Sequence, residues 1–287
     1  MRDFSMHHDW LSLNTATIRK QWSLDRIIDE CARRRVKAIS PWRDQVAKVG
    51  LRNIASQLKS HDIGLSGYCR GGFFSAATRE QREASLEDNR RTVDEACELG
   101  APCVVLVVGG LPGALDGKPV YCDMGRARTE VFDGIASMLD YARGCGMPLA
   151  IEPLHPMQAA ERACINTLEH ALDICDALDP EESGLLGVAL DVYHVWWDPK
   201  LEQQIKRAGA RRLLAYHVCD WLTPTRDLLN DRGMMGDGVV ELKKIRGWME
   251  GAGFQGYCEI EIFSDRWWRE AADAVLDTCI SRYRTVV

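Results

Sequence analysis

The sequence predicts a (β/α)8 (TIM) barrel, a single domain over residues 1–287. Eight short apolar runs recur along the chain, and helix-like stretches separate them. The length of 287 residues is close to the roughly 250 typical of such a barrel. No linker, low-complexity run or charge block divides the chain. An open doubly wound sheet would normally carry G-x-G-x-x-G after an early strand, and none is present.

The strand candidates are 10–18, 36–41, 64–70, 102–109, 148–154, 186–194, 213–219 and 256–262. Each is short, apolar and rich in β-branched residues or bounded by turn formers. Helices are expected at 24–34, 78–99, 123–144, 167–178, 241–251 and 266–283. In the first, Leu24, Ile27, Ile28 and Cys31 recur at helical spacing behind Ser23, a candidate N-cap. Two long stretches, 109–121 and 220–240, follow the fourth and seventh strands. That is the end of a barrel where active sites form, and loops of this length are usually functional.

Composition narrows the function class. Hydrophobic residues make up 46% of the chain, enough for a sizeable core. The net charge of -6 argues against a nucleic-acid partner. No apolar run approaches the roughly 20 residues that span a bilayer. The start, MRDFSMHHDW, lacks the apolar segment of a signal peptide. Eleven cysteines, odd in number and irregular in spacing, read as buried free thiols of a cytoplasmic protein.

Four side chains stand near the ends of the last four strands: Glu152, Asp191, His217 and Glu261. Singly, each has a bland reading. Glu152 fits a strand-end salt bridge, and His217 a satisfied core histidine. Asp191 is harder to dismiss, because GVALDVYHVWW is almost wholly apolar and a lone carboxylate there needs a cation or several donors. Glu261 competes with Glu259, which shares its strand face. Together they form an oxygen-rich set that suits Mn2+, or Mg2+ or Co2+, better than a structural zinc.

At these residues the chain resembles the xylose-isomerase-like superfamily of sugar isomerases and epimerases, with the specific matches between 148 and 263. In its ketose 3-epimerase branch, a Glu, Asp, His and Glu on strands five to eight bind the metal. That implies Glu152, Asp191, His217 and Glu261 here. The L-D-x-x-H pattern matches Leu190, Asp191 and His194, and implies a substrate contact for His194. The G-x-G turn matches Gly236, Asp237 and Gly238, and the E-x-F ending favours Glu261, with Phe263 following. Several relatives have E-P-x-N where this chain has Glu152-Pro153-Leu154-His155. The E-P-L-H form also resembles catalytic subunits of C-glycoside deglycosidases, which implies an acid/base His155 and elimination from a 3-keto glycoside. The plain alternative is a His155 that caps the loop before Pro156.

The resemblance implies proton abstraction beside the carbonyl of a keto sugar through a metal-stabilised enediolate, with Glu152 and Glu261 as bases on opposite faces. A non-catalytic sugar-binding barrel is the alternative from another class. Aromatic faces pack on sugar C–H faces. The tryptophans after strands, Trp42, Trp196, Trp197, Trp221, Trp267 and Trp268, are therefore candidate contacts, Trp197 foremost, and the last two could pack on a partner subunit. Arg70 and Arg232 could hold a substrate oxygen or phosphate, or be solvated loop residues. A homo-oligomer is expected, with a small partner subunit as a further option.

Overall fold

The computed structural model describes residues 2–287. Eight parallel strands close into one barrel: β1 (Leu11–Asn14), β2 (Ala38–Ser40), β3 (Gly64–Leu65 and Tyr68–Gly72), β4 (Val104–Val107), β5 (Leu149–Ile151), β6 (Leu186–Asp191), β7 (Leu213–Val218) and β8 (Cys258–Ile260). The first half of β3 pairs with β2 and the second with β4. The Cys69 N–H donates to the Pro41 carbonyl at 3.0 Å, which joins β2 to the second half of β3. β8 pairs with β1 and β7, so the ring is complete.

All eight expected strands are present, but several end earlier than the apolar pattern suggests. The run 10–18 is extended only to Asn14, and Thr15–Ile18 is a 3-10 turn. The cause is local: the Asn14 side chain accepts from the Ala16 N–H and turns the chain. At the end of β6 the Asp191 carboxylate does the same for Tyr193, and Val192–Val195 becomes a short helix. The six expected helices form at Leu24–Arg33, Arg79–Leu99, Met124–Arg143, Leu168–Leu178, Leu242–Gly251 and Ala272–Val286. Ser23 holds the N-cap position without donating or accepting a cap hydrogen bond. Three further helices, Arg43–Val49, Leu51–His61 and Leu201–Arg212, were not expected. Their buried faces are thin or polar, with Gln45 and Val46 in the first and Gln204 and Arg212 in the third.

The main core lies between strands and helices, with Leu13, Ile39, Ile151 and Leu190 fully buried. Inside the barrel the packing is small: Cys69, Cys103, Val105, Ala150, Ala189 and Ala215 form a separate cluster. Small residues leave room there for polar side chains that reach up to the C-terminal strand ends. All eleven cysteines are free. Among the described residues no helix is long and apolar enough to cross a membrane.

At the opposite end of the barrel a buried ion pair locks β6 to β7. Arg212, the last residue before β7, donates to Asp179 at 2.7 Å and to the Leu186 carbonyl at 2.8 Å. Removing one partner leaves an uncompensated buried charge. Asp179→Ala is expected to lower unfolding free energy by roughly 3–5 kcal/mol, read by urea denaturation. Ligand binding by the surviving folded fraction should be unchanged, because the pair is remote from the C-terminal ends.

Candidate metal centre and substrate cavity

The barrel ladder fixes the four acidic and imidazole side chains. Glu152 directly follows β5, and its N–H donates to the Leu106 carbonyl at 3.1 Å. Glu261 follows β8, and its N–H donates to the Val218 carbonyl at 3.0 Å. Asp191 ends β6 opposite His217 of β7, and His217 lies opposite Glu259 of β8. One potential ligand atom from each of Glu152, Asp191, His217 and Glu261 lies within 4.8 Å of all the others, and all four residues are buried.

The charges there are unbalanced. His217 Nδ1 is 3.1 Å from Glu152 Oε1 and 3.6 Å from Glu261 Oε2. Arg232 Nη1 donates to Asp191 Oδ2 at 2.6 Å and to Glu261 Oε2 at 3.0 Å. Three buried carboxylates thus share one guanidinium and one imidazole. Burial, with repulsion from Glu261 and Asp191, pushes the Glu152 carboxyl up to about 7 despite its hydrogen bond to His217. Burial also acts on Glu261, but Arg232 and His217 outweigh it and hold that carboxyl down at about 2. The His217 imidazole moves the other way from what burial alone would do: Glu259, Glu152 and Glu261 raise it well above its ordinary value. A dense carboxylate set with a buried imidazole and too little positive charge fits a divalent cation.

A second polar layer supports the first. Asn14 Nδ2 donates to Glu259 Oε1 at 2.7 Å and to Glu261 Oε1 at 2.9 Å. Its Oδ1 accepts from Trp42 Nε1 at 2.8 Å. Ser66 donates to the other Glu259 oxygen at 2.7 Å and bonds Ser12 at 2.6 Å. Glu259 faces His217 Nε2 at 3.5 Å, on the side of the ring away from the other three acids. A carboxylate behind an imidazole orients the ring and raises its basicity as a ligand. Glu259 therefore has a place distinct from that of Glu261, as its position two residues earlier on the same strand requires.

A family model described as xylose isomerase-like TIM barrel matches residues 23–279. The chain belongs to this family. A curated relative, the inosose isomerase of Bacillus subtilis (strain 168), is 23% identical over 188 residues, 64% of this chain and 62% of the relative. The match thus spans less than two thirds of that isomerase. Among solved structures, a Sinorhizobium meliloti 1021 protein, SMc04130, is 54% identical with a TM-score of 0.92, covering 98% of this chain and 99% of its own. The IOLI protein, solved with a bound zinc atom, has a TM-score of 0.80 at 18% identity, covering 96% and 98%. A D-allulose 3-epimerase from Methylomonas sp. has a TM-score of 0.75 at 15% identity, covering 98% of each chain.

In this xylose isomerase-like barrel the remaining expected site residues divide into two groups. Arg70, His194 and Arg232 line one cavity with Glu152 and Glu261. His194 is buried, and its Nδ1 accepts from the His155 N–H at 3.1 Å. Its other nitrogen, Nε2, lies 3.2 Å from Arg232 Nη2, a group that can only donate, and 3.6 Å from Asp191 Oδ2, so both ring nitrogens face donors. Burial depresses the His194 pKa to about 3, so the ring is neutral. Trp42 and Phe263 supply aromatic walls.

His155 and Trp197 do not line the cavity. The His155 ring stacks on Trp221 with centroids 4.7 Å apart, and its Nδ1 accepts from the Met157 N–H. It caps the 3-10 turn Pro156–Gln158. Trp197 Nε1 donates to the His194 carbonyl at 2.8 Å and its ring meets His155 edge-on. The Trp268 indole donates to the Ala16 carbonyl, and no tryptophan is among the exposed large apolar side chains of the described residues. Two polar cavity residues lie outside the expected set, Gln158 and Arg162, both in the segment after β5. The local sequence of Arg162, AAERAC, does not distinguish it from a surface arginine.

Arg232 reaches the site because the long segment after β7 folds back. Arg232–Gly233 pairs antiparallel with Asp220–Trp221. The Asp220 carboxylate accepts from the N–H groups of Gly236 and Val240 and pins the return. Gly238 has no room for a side chain, since a Cβ would collide with the Trp221 carbonyl oxygen. Gly238→Ala is expected to cost roughly 1–3 kcal/mol and to loosen Arg232. Thermal unfolding should shift down, and the variant should bind divalent ions or substrate more weakly than wild type.

Proposed function

We propose that this protein is a divalent-metal-dependent isomerase or epimerase of a small keto sugar or related polyol. The observation that carries the reading is the meeting of Glu152, Asp191, His217 and Glu261, with ligand atoms within 4.8 Å, at the C-terminal strand ends, where Glu152 and Glu261 line a cavity. Membership of the family and the isomerase name of its curated relative support it. These four residues would hold the ion, Mn2+ or a cation of similar preference. Once bound, the ion would act as a Lewis acid toward a carbonyl and its neighbouring hydroxyl, making the intervening C–H more acidic.

The protein groups do the rest. Glu152 and Glu261 reach the cavity from β5 and β8, so one carboxylate removes the proton and the other is placed to return it. Return to the same carbon from the other face gives epimerisation; return to the adjacent carbon gives isomerisation. The Arg232 guanidinium, 3.2 Å from His194 Nε2, is a donor at the wall for substrate oxygens, and it stands over the Tyr193 ring at 4.6 Å, which fixes its plane. Trp42 and Phe263 give apolar faces for C–H groups and exclude water. Nothing in the cavity favours the elimination chemistry suggested by E-P-L-H, since the His155 ring lies outside it.

Two tests follow from the geometry. Purified protein should bind about one Mn2+-class ion per chain, and Asp191→Asn should weaken binding at least tenfold by removing a formal charge. Ligation needs Glu152 ionised and His217 unprotonated, whereas both groups are raised above their ordinary values in the metal-free protein. Protons must therefore leave as the ion enters. Apparent affinity should rise through pH 7 and above, by about tenfold per pH unit for each proton released. Calorimetry in buffers of different ionisation enthalpy measures that release; its absence would remove the four-ligand assignment.

The chemistry is tested by incubating the metal-loaded protein with a panel of keto sugars in D2O. Deuterium should enter the position next to the carbonyl, and Glu152→Gln and Glu261→Gln should each reduce incorporation by roughly 10²–10⁴. Full metal occupancy with no exchange on any keto sugar or keto polyol would leave the sugar-binding barrel as the better account.

A further inference from the structure

Three arginines line the cavity, and only one is used by the protein. Arg232 is held by Asp191 and Glu261. Arg70 in the second half of β3 and Arg162 after β5 line the same wall, both half-buried. Among the described residues, neither guanidinium forms an ion pair or a side-chain hydrogen bond. Arg70 lies over the Phe73 ring at 4.3 Å, a contact that packs its face and leaves its N–H donors free. Neighbouring arginines differ: Arg43 is bound by Asp88 and Glu95, and Arg19 by Asp44. Burial, and then the proximity of Arg162, depress Arg70, so the two cations repel each other.

The acids of the site do not account for this pair. With a divalent ion present, the charges of Glu152, Asp191 and Glu261 would be cancelled by that ion and Arg232, and Glu259 is held by His217, Asn14 and Ser66. Arg70 and Arg162 then have no carboxylate of their own inside a chain whose net charge is -6. Two unpaired guanidiniums converging on a cavity make a fork for an oxyanion. Close by, buried Gln158 has an amide oxygen without a partner, while its amide nitrogen donates to the Leu228 carbonyl. That oxygen is an acceptor for a hydroxyl.

We infer that the substrate is a hydroxylated carbonyl compound carrying an anionic group, a carboxylate or a phosphate, and that Arg70 and Arg162 bind that group while the carbonyl end lies toward Glu152 and Glu261. The inference rests on the proposed isomerase reading for its orientation, but the anion site itself does not depend on the chemistry. It makes a sugar acid or a sugar phosphate a better ligand than the neutral sugar of the same skeleton. Arg70 and Arg162 are binding residues and take no part in proton transfer.

The test uses the full chain with its metal and four probes: glucose, glucuronate, glucose 6-phosphate and inorganic phosphate. Dissociation constants are measured by calorimetry in low salt. At least one anionic probe should bind ten times more tightly than glucose or better, and its advantage should shrink with added salt. Preference for glucuronate identifies a carboxylate substrate, and preference for glucose 6-phosphate or inorganic phosphate a phosphorylated one. Arg70→Gln and Arg162→Gln should each remove most of the advantage with metal content and circular dichroism unchanged, and Arg70→Lys should restore part of it. The two arginines sit on different segments, so failure of one variant to fold leaves the other as the test. Equal or weaker binding of all three anions relative to glucose overturns the inference. Deuterium exchange separates it from the proposed function: exchange on neutral keto sugars with no anion preference removes only the anion site. Tight, arginine-dependent anion binding without exchange on any acidic or neutral keto sugar removes only the isomerase reading.

Discussion

A buried excess of negative charge is the constraint on which the rest of the structure depends. Glu152, Asp191, Glu261 and, just beneath, Glu259 are all buried at one end of the barrel. Isolated carboxylates in such a place would take up protons or destabilise the fold. The chain instead surrounds them with directed donors: Arg232 across Asp191 and Glu261, His217 among three carboxylates, and Asn14 between Glu259 and Glu261. The compensation is incomplete, and the proposed affinity for a cation depends on that. Fully neutralised acids would have no affinity left for an ion.

The architecture serves this constraint. Small residues such as Ala150, Ala189 and Ala215 fill the barrel interior below the site, and the polar layer of Ser12, Ser66, Asn14 and Glu259 fits above them. Parallel register then carries orientation outward: Asp191 beside His217, His217 beside Glu259. The Asn14 and Asp191 side chains cap the turns that end their own strands as well as facing the site. Their roles in folding and in the site cannot be separated by simple truncation, so a stability loss on changing either one says little about ligation.

Much of the fold and of the four-residue cluster was legible, because both rest on short-range pattern. An apolar run marks a buried parallel strand, and an acid or histidine at its end lies near the barrel mouth once the strand count is known. Strand ends were read too long at Asn14 and Asp191, since apolar residues continue into the capped turns and only side-chain hydrogen bonding shows the change. The helices Arg43–Val49 and Leu201–Arg212 escaped notice because they bury Gln45, Gln204 and Arg212 at positions where a pattern of apolar residues expects none. Arg162 and the second-layer Asn14 were invisible for another reason: their significance is a matter of what long-range folding places beside them.

His155 shows the reverse error of emphasis. Proximity in sequence to Glu152, between two prolines, suggested an imidazole aimed at the site. The backbone instead turns at Pro156, and the ring becomes a cap and a stacking partner for Trp221, while its N–H supports His194. The influence of His155 therefore passes through its main chain: its N–H donates to His194 Nδ1 and holds that ring against the cavity, with Arg232 Nη2 on the ring's other nitrogen. A substitution at 155 that preserves the backbone would leave that contact in place. The polarity of the wall is thus built from the peptide outward, with the His194 ring held between a backbone N–H and the Arg232 charge.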